Sequence, residues 1–430
     1  MKNLILFTIC LLITANVSAQ IDVKVKDVPK KTLEKTIEMR RDFHKFPELS
    51  NREFETGKKV AKRLRELGIE VQTGIAKTGV KGILRGGKLG PVVALRADMD
   101  ALPVTERVDI PFASKVKTTY LDKEVGVMHA CGHDTHTASL LGAAEILAGM
   151  RDEIAGTIVF IFQPAEEGAP PGETGGAQDM VKEGILLNPD VEAAFGLHVS
   201  SSLEVGKLEY RLGGFMAASD RLEIRVKGKQ SHGSRPWTGV DPIVTSAQII
   251  MGLQTIVSRQ SELTKEAVVI SVGKIEAGVR NNIIPEEALM IGTIRTLDTA
   301  MQRIVHQKIR TVATNIAESM GATAEVDIQI GYPVTYNDPD LTRNMVHTLY
   351  GTVGKENVRV VPARTGAEDF SFYAQKVPST FVFYGGRPST TPKSEAPSHH
   401  TPDFYVDEGC LDVAIRTYCN LALNYLGMKR

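Results

Sequence analysis

Hydrophobic and polar residues follow two different patterns along the chain, and the first pattern covers about Lys30 to Arg211. Short, unbroken apolar runs there predict strands, and segments with apolar residues at helical spacing predict helices between them. The predicted helices and strands are Phe54–Leu67, Val92–Asp100, Thr135–Gly149, Gly156–Gly168 and Val191–Val199. This alternation indicates an α/β fold with a mostly parallel mixed sheet and helices on both faces.

A second pattern begins near Gly214, where Arg221–Gly228 alternates strictly between apolar and polar residues. A helix from about Pro242 to Arg259, two strands, a helix over Ala300–Met320 and a last strand follow. Strand–helix–strand–strand–helix–strand is the order of a ferredoxin-like α+β fold. The α/β pattern resumes afterwards, so we predict a main domain in two parts, residues 20–213 and 332–430, with a domain inserted at residues 214–331.

The N-terminal residues fit neither pattern. Lys2 precedes the apolar run Leu4–Ile13, and the small residues Val17 and Ala19 are suitably placed just before a cleavage site. This combination is typical of a secretory signal peptide, because the apolar run is too short to span a bilayer. We therefore expect residues 1–19 to be removed and the mature protein to be exported, either to a periplasm or to the medium.

Composition excludes several classes of function. Lys and Arg together number 51, as do Asp and Glu, so net charge provides no attraction to nucleic acid or to an anionic membrane. No later segment has the roughly 18 apolar residues of a membrane helix. Of the three cysteines that remain after cleavage, Cys410 and Cys419 fit the core of a C-terminal helix, whereas Cys131 needs another protection from oxidation.

Polar groups capable of chemistry collect where the apolar strands end. Asp98 and Asp100 close the first predicted strand, Glu166 and Glu167 follow the second, and His198 lies near the end of the third. Ligand sites in open α/β sheets lie beyond the carboxyl ends of the strands, so we expect these groups to converge. Two adjacent carboxylates at a buried strand end favour a bound cation, which offsets their repulsion.

The segment Met128–Ala138, with the sequence MHACGHDTHTA, adds a cysteine and three histidines. Cys131 and His133 flank Gly132, which lets the backbone turn so that both side chains can face one site. Three interpretations fit these residues taken alone. They are a divalent-metal site, a cysteine–histidine nucleophile, or a polar helix start without chemistry.

Further stretches match a known family in order and over almost the whole mature chain. They are Arg40–Ser50, Leu95–Val104, Met128–Ala138, Phe162–Gly168, Gly196–Val199, Ser231–Ile243, Asn281–Thr296, Gly366–Tyr373 and His400–Glu408. Together they resemble the M20 metallopeptidases, and within them the amidohydrolase branch of hippurate hydrolases, N-acyl-amino-acid amidohydrolases, auxin-conjugate hydrolases and some archaeal carboxypeptidases. The resemblance implies a zinc-peptidase-like catalytic domain and an inserted dimerisation or lid domain.

The resemblance also implies the composition of a metal site. The ligands of two divalent ions, zinc or manganese, would be Cys131, His133, Glu167, His198 and His400, with the cysteine bridging both ions. Glu166 would be the general base, and Asp100 would orient a ligand. Asp98 replaces a metal-binding histidine of other branches and is not counted as a ligand. His400 is preferred to His399 on the family spacing, while His129 and His136 are taken as supporting or helix-capping residues.

In the inserted domain, His232 matches a histidine that stabilises the oxyanion in the opposite subunit of a homodimer. Asn282 and Arg295 match positions that bind the substrate carboxylate. The implied reaction is hydrolysis of the amide bond of an N-acyl amino acid, or of a small peptide, through a metal-activated water. A carboxypeptidase or dipeptidase of the same family, a metal-independent Cys131–His133 thiol hydrolase and an inactive peptide-binding relative stay open as alternatives.

Overall fold

The computed structural model describes residues 24–428, and the predicted signal peptide lies outside this range. The helices of the described part are α1 Lys30–Lys45, α2 Phe54–Glu66, α3 His133–Gly149, α4 Gly176–Lys182, α5 Pro242–Gln260, α6 Thr299–Ser319, α7 Pro339–Val353, α8 Ser371–Ala374 and α9 Cys410–Met428. Its strands are β1 Glu70–Ile75, β2 Gly79–Arg85, β3 Lys88–Asp98, β4 Lys117–Tyr120, β5 Lys123–Gly126, β6 Ala155–Gln163, β7 Ala193–Glu204, β8 Leu208–Tyr210, β9 Gly213–Met216, β10 Ala218–Lys227, β11 Ser231–His232, β12 Val268–Ala277, β13 Ile283–Ile284, β14 Glu287–Thr296, β15 Thr323–Tyr332, β16 Thr335–Asn337, β17 Val358–Val360 and β18 Ser379–Arg387.

Eight strands form the main sheet in the order β1-β2-β6-β3-β7-β18-β8-β17. Its four central strands, from β6 to β18, run parallel to one another. The strands β1 and β2 add an antiparallel edge on one side, and β8 pairs antiparallel with β18 on the other. The sheet is therefore mixed with a parallel centre, as the apolar runs predict.

Both faces of the central strands are buried, which explains why their sequences are apolar without alternation. In β6, Ile158 and Phe160 point to one face, while Val159 and Ile161 point to the other, and all four are fully buried. The first face packs against α1, α2, α3, α7 and α9, and the second against the short helices α4 and α8. Helices lie on both faces, but the first face carries most of the helical cover.

The inserted unit has its own sheet in the order β12-β14-β10-β15, with every neighbouring pair antiparallel. Helices α5 and α6 cover it, because Ile249, Leu253 and Ile256 form one apolar stripe and Val305 and Ile309 form another. The strand order is that of a ferredoxin-like fold, and the predicted fold class is confirmed. The exact domain boundaries and the signal peptide stay predictions.

The C-terminal helix α9 contains two of the three free cysteines in the described range. Cys410 and Cys419 are both fully buried among apolar side chains, in agreement with a packing role. No helix in residues 24–428 is long and apolar enough to cross a membrane.

Candidate metal centre

The carboxyl ends of the parallel strands meet at one edge of the main sheet. Strand β3 ends at Asp98, which lies opposite Gln163 at the end of β6. Arg96 of β3 is in register with Gly196 of β7, so His198 of β7 lies level with the end of β3. The sheet register therefore brings residues of three separate motifs to a single edge.

Helix α3 begins at the same edge, and a glycine there determines its entry. Gly132 has a φ of +94°, and a Cβ atom on it would meet Val199 Cγ1 at 2.4 Å. A residue with a side chain would be strained by the backbone angle and would also clash with β7. Gly132 thus lets the chain turn tightly enough to present Cys131 and His133, both buried, at the sheet edge.

The two glutamates lie on a turn just beyond β6, so the strand predicted as far as Gly168 ends five residues earlier, at Gln163. Ala165 has a φ of +51°, which few residues other than glycine adopt. Its backbone N–H donates to Glu53 Oε1 at 2.9 Å, and the Glu167 N–H donates to Asp100 Oδ2 at 3.0 Å. These buried carboxylates hold the turn in its strained conformation.

The structure brings the five predicted ligands together in two groups that share one residue. In the first, Cys131 Sγ lies 3.5 Å from His198 Nε2, beside His133. In the second, Cys131 is grouped with Glu167 and His400, whose Nε2 lies 3.0 Å from Glu167 Oε1. Cys131 is thus common to both groups, which is consistent with the predicted bridging role, and His133 is also shared with a third group that contains Glu166 and Glu167.

The hydrogen bonds of the histidines leave ligand atoms directed at this site. His133 Nδ1–H donates to the backbone oxygen of Asp100 at 2.9 Å, and its Nε2 is buried without a hydrogen-bond partner. That Nε2 lies 3.9 Å from both Glu166 Oε2 and Glu167 Oε1, too far for hydrogen bonds. His198 Nδ1–H likewise donates to the backbone oxygen of Val199 at 2.6 Å. Metal-binding histidines are commonly oriented in this way.

The charges of the donors also fit a divalent cation. Burial, followed by the Glu167 and Glu166 carboxylates, raises the pKa of Cys131 well above its usual value. Burial, followed by Glu368 and Glu167, likewise raises the pKa of Glu166. Burial opposes protonation of His133, but the carboxylates around it raise its pKa to about 10. Without a metal these groups bind protons, and a cation at the same position would replace those protons.

The supporting residues have their own defined contacts. Asp100 accepts from Ser50 Oγ at 2.7 Å as well as from His133, which are the contacts that its predicted orienting role requires. Asp98 accepts from Arg96 and from His136, which leaves it engaged on both oxygens. His136 also accepts from the Val199 N–H, so both of its ring nitrogens are occupied.

The two other histidines near the motifs differ in position. His129 is buried with neither ring nitrogen hydrogen-bonded, and it belongs to no candidate ligand group of residues 24–428. His399 Nδ1 lies 3.5 Å from Cys131 Sγ, and its Nε2 accepts from the Ser201 N–H at 3.2 Å. Burial and His400 lower the pKa of His399 to about 3, which keeps its ring neutral beside the site.

Sequence reasoning missed a buried charge network beneath the centre. The guanidinium of Arg96 donates to Asp98 at 2.7 Å and to Glu368 and Asp369 at 2.9 Å each. Glu368 and Asp369 lie in the stretch Gly366–Tyr373, which the sequence marks only through its family resemblance. An arginine inside the apolar run Val92–Asp100 was the available signal, since a buried arginine needs carboxylates around it.

A cavity of about 560 Å³ opens onto the centre. Its lining includes Cys131, Glu166, Glu167, His198, His399, His400 and Glu368, together with Arg295, Tyr332, Arg364 and Phe383. The structure thus brings Arg295 to the ligand cluster. It does not bring His232 and Asn282 there, because both are exposed at the two-stranded sheet of β11 and β13 and neither lines the cavity of its own chain.

Comparison with known proteins identifies the family. Residues 94–424 match the family described as peptidase family M20/M25/M40. This chain belongs to that family. Thermostable carboxypeptidase 1 of Saccharolobus solfataricus is 41% identical over 406 residues, which cover 94% of this chain and 98% of the relative. N-acetylcysteine deacetylase of Bacillus subtilis is 40% identical over 388 residues, or 90% and 96% of the two chains.

A solved structure supports the same relationship. The YXEP protein of Bacillus subtilis, described as a dinuclear metal-binding peptidase of the M20 family, is 38% identical and has a TM-score of 0.77. The match covers 93% of this chain and 99% of that one. The protein is therefore a metal-dependent hydrolase of the M20 family.

Replacing the shared donor tests the assignment of the ligands. We predict that Cys131→Ala lowers the metal content of the purified protein from two divalent ions per chain to fewer than one, because both ligand groups lose a member. Elemental analysis after dialysis measures this content. The control is Cys419→Ala, which removes a buried thiol in α9 and should retain both ions. Two ions bound to Cys131→Ala would contradict the bridging assignment.

Proposed function

We propose that this M20 hydrolase cleaves the amide bond of N-acyl amino acids that carry a free carboxylate, using two divalent ions, zinc or manganese. The observation that supports this substrate class is the common cavity of the candidate metal centre and Arg295. A site that hydrolyses an amide next to a carboxylate needs an anion-binding group a short distance from the reacting carbonyl. Arg295, which lines the cavity, would provide that group.

Arg295 has a guanidinium suited to this role. Within residues 24–428, Arg295 Nε donates to Thr293 Oγ1 at 3.2 Å, which leaves the terminal nitrogens for a ligand. Burial lowers its pKa, with partial compensation from Asp220, so an anionic ligand would be favoured. A guanidinium can bind a carboxylate through two parallel hydrogen bonds.

Glu166 is placed to move the proton. Divalent ions at the ligand cluster supply Lewis acidity, which polarises a carbonyl oxygen and increases the acidity of water. The Glu166 carboxylate faces the same space, with Oε2 3.9 Å from His133 Nε2. It would accept a proton from the attacking water and donate that proton to the leaving amine. A high proton affinity suits both steps, and burial among carboxylates provides it.

The exposed positions of His232 and Asn282 support a homodimer. His232 ends β11 and Asn282 directly precedes β13, its antiparallel partner in the inserted domain, and Gly233 N–H donates to the Asn282 backbone oxygen at 2.8 Å. On the same domain Trp237 and Val279 are 78% and 94% exposed, and β12 is an edge strand of the four-stranded sheet in the described part of the chain. These features favour the binding of a second copy of this chain to this surface. The partner subunit's His232 would then stabilise the oxyanion in this chain's cavity.

The alternatives differ in their requirements. A carboxypeptidase would use the same centre and Arg295, and two relatives from Saccharolobus solfataricus bear that name. A thiol hydrolase needs a cysteine with a lowered pKa, whereas burial raises the pKa of Cys131. These functions are distinguished by a panel of substrates: N-acetyl amino acids, N-benzoylglycine, carboxyl-blocked dipeptides and free dipeptides. Faster hydrolysis of the acyl amino acids, abolished by EDTA and restored by Zn²⁺ or Mn²⁺, would support the proposal.

Replacement of the base tests the proton transfer. We predict that Glu166→Gln reduces kcat by at least about 100-fold, because an amide cannot accept the proton. Metal content should stay near that of the wild type, since Glu166 is not among the proposed ligands. Steady-state kinetics and elemental analysis measure both quantities. Glu124→Gln, on an exposed hairpin, is the matched control and should be fully active. If Glu166→Gln keeps its activity, the base is wrongly assigned.

Mixing two inactive variants tests the role of His232 in the opposite subunit. We predict that Glu166→Ala and His232→Ala, mixed under conditions of subunit exchange, recover about a quarter of wild-type activity. Random pairing makes about half of the dimers mixed, and each mixed dimer has one intact site. The control replaces His232→Ala with Arg295→Ala, whose lesion lies in its own chain's cavity, so no recovery is expected. Demonstrated exchange without recovery in the His232 mixture would refute the intersubunit role.

A further inference from the structure

We propose that Tyr332 is a positioning residue that connects the turn carrying Glu166 to the inserted domain. The position of the Glu166 carboxylate then depends on the position of that domain. The inference rests on the proposed role of Glu166. It goes beyond that role because it assigns a function to a residue outside the set of ligands, base and substrate-binding groups.

The first support is the contact itself. Tyr332 Oη–H donates to the backbone oxygen of Glu166 at 2.7 Å. Burial raises the pKa of Tyr332, and the nearby Asp369 and Glu166 carboxylates raise it further, so the hydroxyl keeps its proton and remains a donor. The ring packs edge-on against Phe372 at 6.1 Å between centroids, which restricts the direction of the hydroxyl.

The second support is the number of points that hold this turn. Ala165 is tied to Glu53, and Glu167 is tied to Asp100, both through backbone N–H groups. These two carboxylates belong to the main domain. Tyr332 holds the remaining residue, Glu166, from the last position of β15, which is one residue beyond the predicted end of the inserted domain but still paired within its sheet. The base therefore lies between two contacts from one domain and a third from the other.

The third support is the pairing between the two segments that connect the main domain to the inserted domain, one around Ser219 and one around Tyr332. Tyr332 pairs with Ser219 at the start of β10, next to an irregularity in the register. Asp220 accepts from the Gly331 N–H at 3.3 Å and from Gln302 and His306 of α6. The segment that bears Tyr332 is thus fixed to the inserted domain, and a displacement of that domain displaces the hydroxyl as well.

Removal of the hydroxyl alone tests the positioning role. We predict that Tyr332→Phe lowers kcat by about tenfold to a hundredfold for the best substrate of the acyl-amino-acid panel, because a small misplacement of a catalytic group has effects of this size. KM should change by less than about twofold, since the substrate-binding groups are untouched. Metal content and the unfolding midpoint should match those of Tyr336→Phe, a nearby exposed tyrosine that serves as the control.

Hydrogen exchange provides a readout that does not depend on catalysis. In the metal-free protein, amides of the peptide covering residues 163–168 should exchange about tenfold faster in Tyr332→Phe, while peptides from α3 and β7 exchange as in the wild type. An unchanged kcat would overturn the proposal. A loss of kcat accompanied by a lower metal content and a lower unfolding midpoint would also overturn it, because the hydroxyl would then stabilise the fold in general.

The link to the inserted domain is tested at Gly331. A Cβ atom there would meet the Ser219 backbone oxygen at 2.3 Å. Gly331→Ala should therefore force apart the two segments that connect the domains. We predict that this change lowers kcat several-fold in the wild type but not in Tyr332→Phe, since the connection is already cut. Equal losses in both backgrounds, or no loss in either, would overturn the coupling. An active Glu166→Gln variant would instead refute the proposed function.

Discussion

The structure depends on one electrostatic constraint, the concentration of buried negative charge at the carboxyl edge of the main sheet. Six carboxylates there are buried or nearly so: Asp98, Asp100, Glu166, Glu167, Glu368 and Asp369. Moving an unpaired carboxylate out of water costs on the order of several kcal/mol, so such a cluster requires nearby cations or bound protons. Arg96 compensates the inner part, where it contacts Asp98, Glu368 and Asp369. The outer part, next to Cys131, is where divalent ions are needed.

The fold places these charges through features that are independent of the ligands. Parallel strands end at the same edge, Gly132 allows α3 to begin there, and the strained turn at Ala165 directs the two glutamates inward. Carboxylates of the main domain accept hydrogen bonds from the backbone of this turn, and Tyr332 of the inserted sheet donates one to it. The inserted domain also supplies Arg295, so the cavity is complete only where the two domains meet. In the proposed mechanism, substrate binding and proton transfer draw on both domains, whereas the predicted metal ligands all belong to the main domain.

Local patterns predicted much of this arrangement. Unbroken apolar runs indicated the parallel strands, strict alternation indicated the inserted sheet, and polar residues after the strands indicated the edge that carries the site. The patterns did not reveal contacts between distant segments, such as that of Arg96 with Glu368. Nothing in the sequence around either residue indicates which residue it contacts. Family resemblance supplied the ligand set, but it assigned no role to His399, which lies against Cys131. The exposed position of His232 depends on how the inserted domain is oriented, and only the folded chain shows it.

The central claim is that the cluster holds two divalent ions joined by the thiolate of Cys131. Anomalous diffraction at the zinc edge, from crystals of the zinc-loaded protein, tests this claim most directly. The account predicts two anomalous peaks about 3.5–4 Å apart, the usual separation in two-metal sites. Both peaks should lie about 2.3 Å from Cys131 Sγ, the normal zinc–sulfur distance. A single peak, or two peaks of which neither contacts that sulfur, would contradict the account.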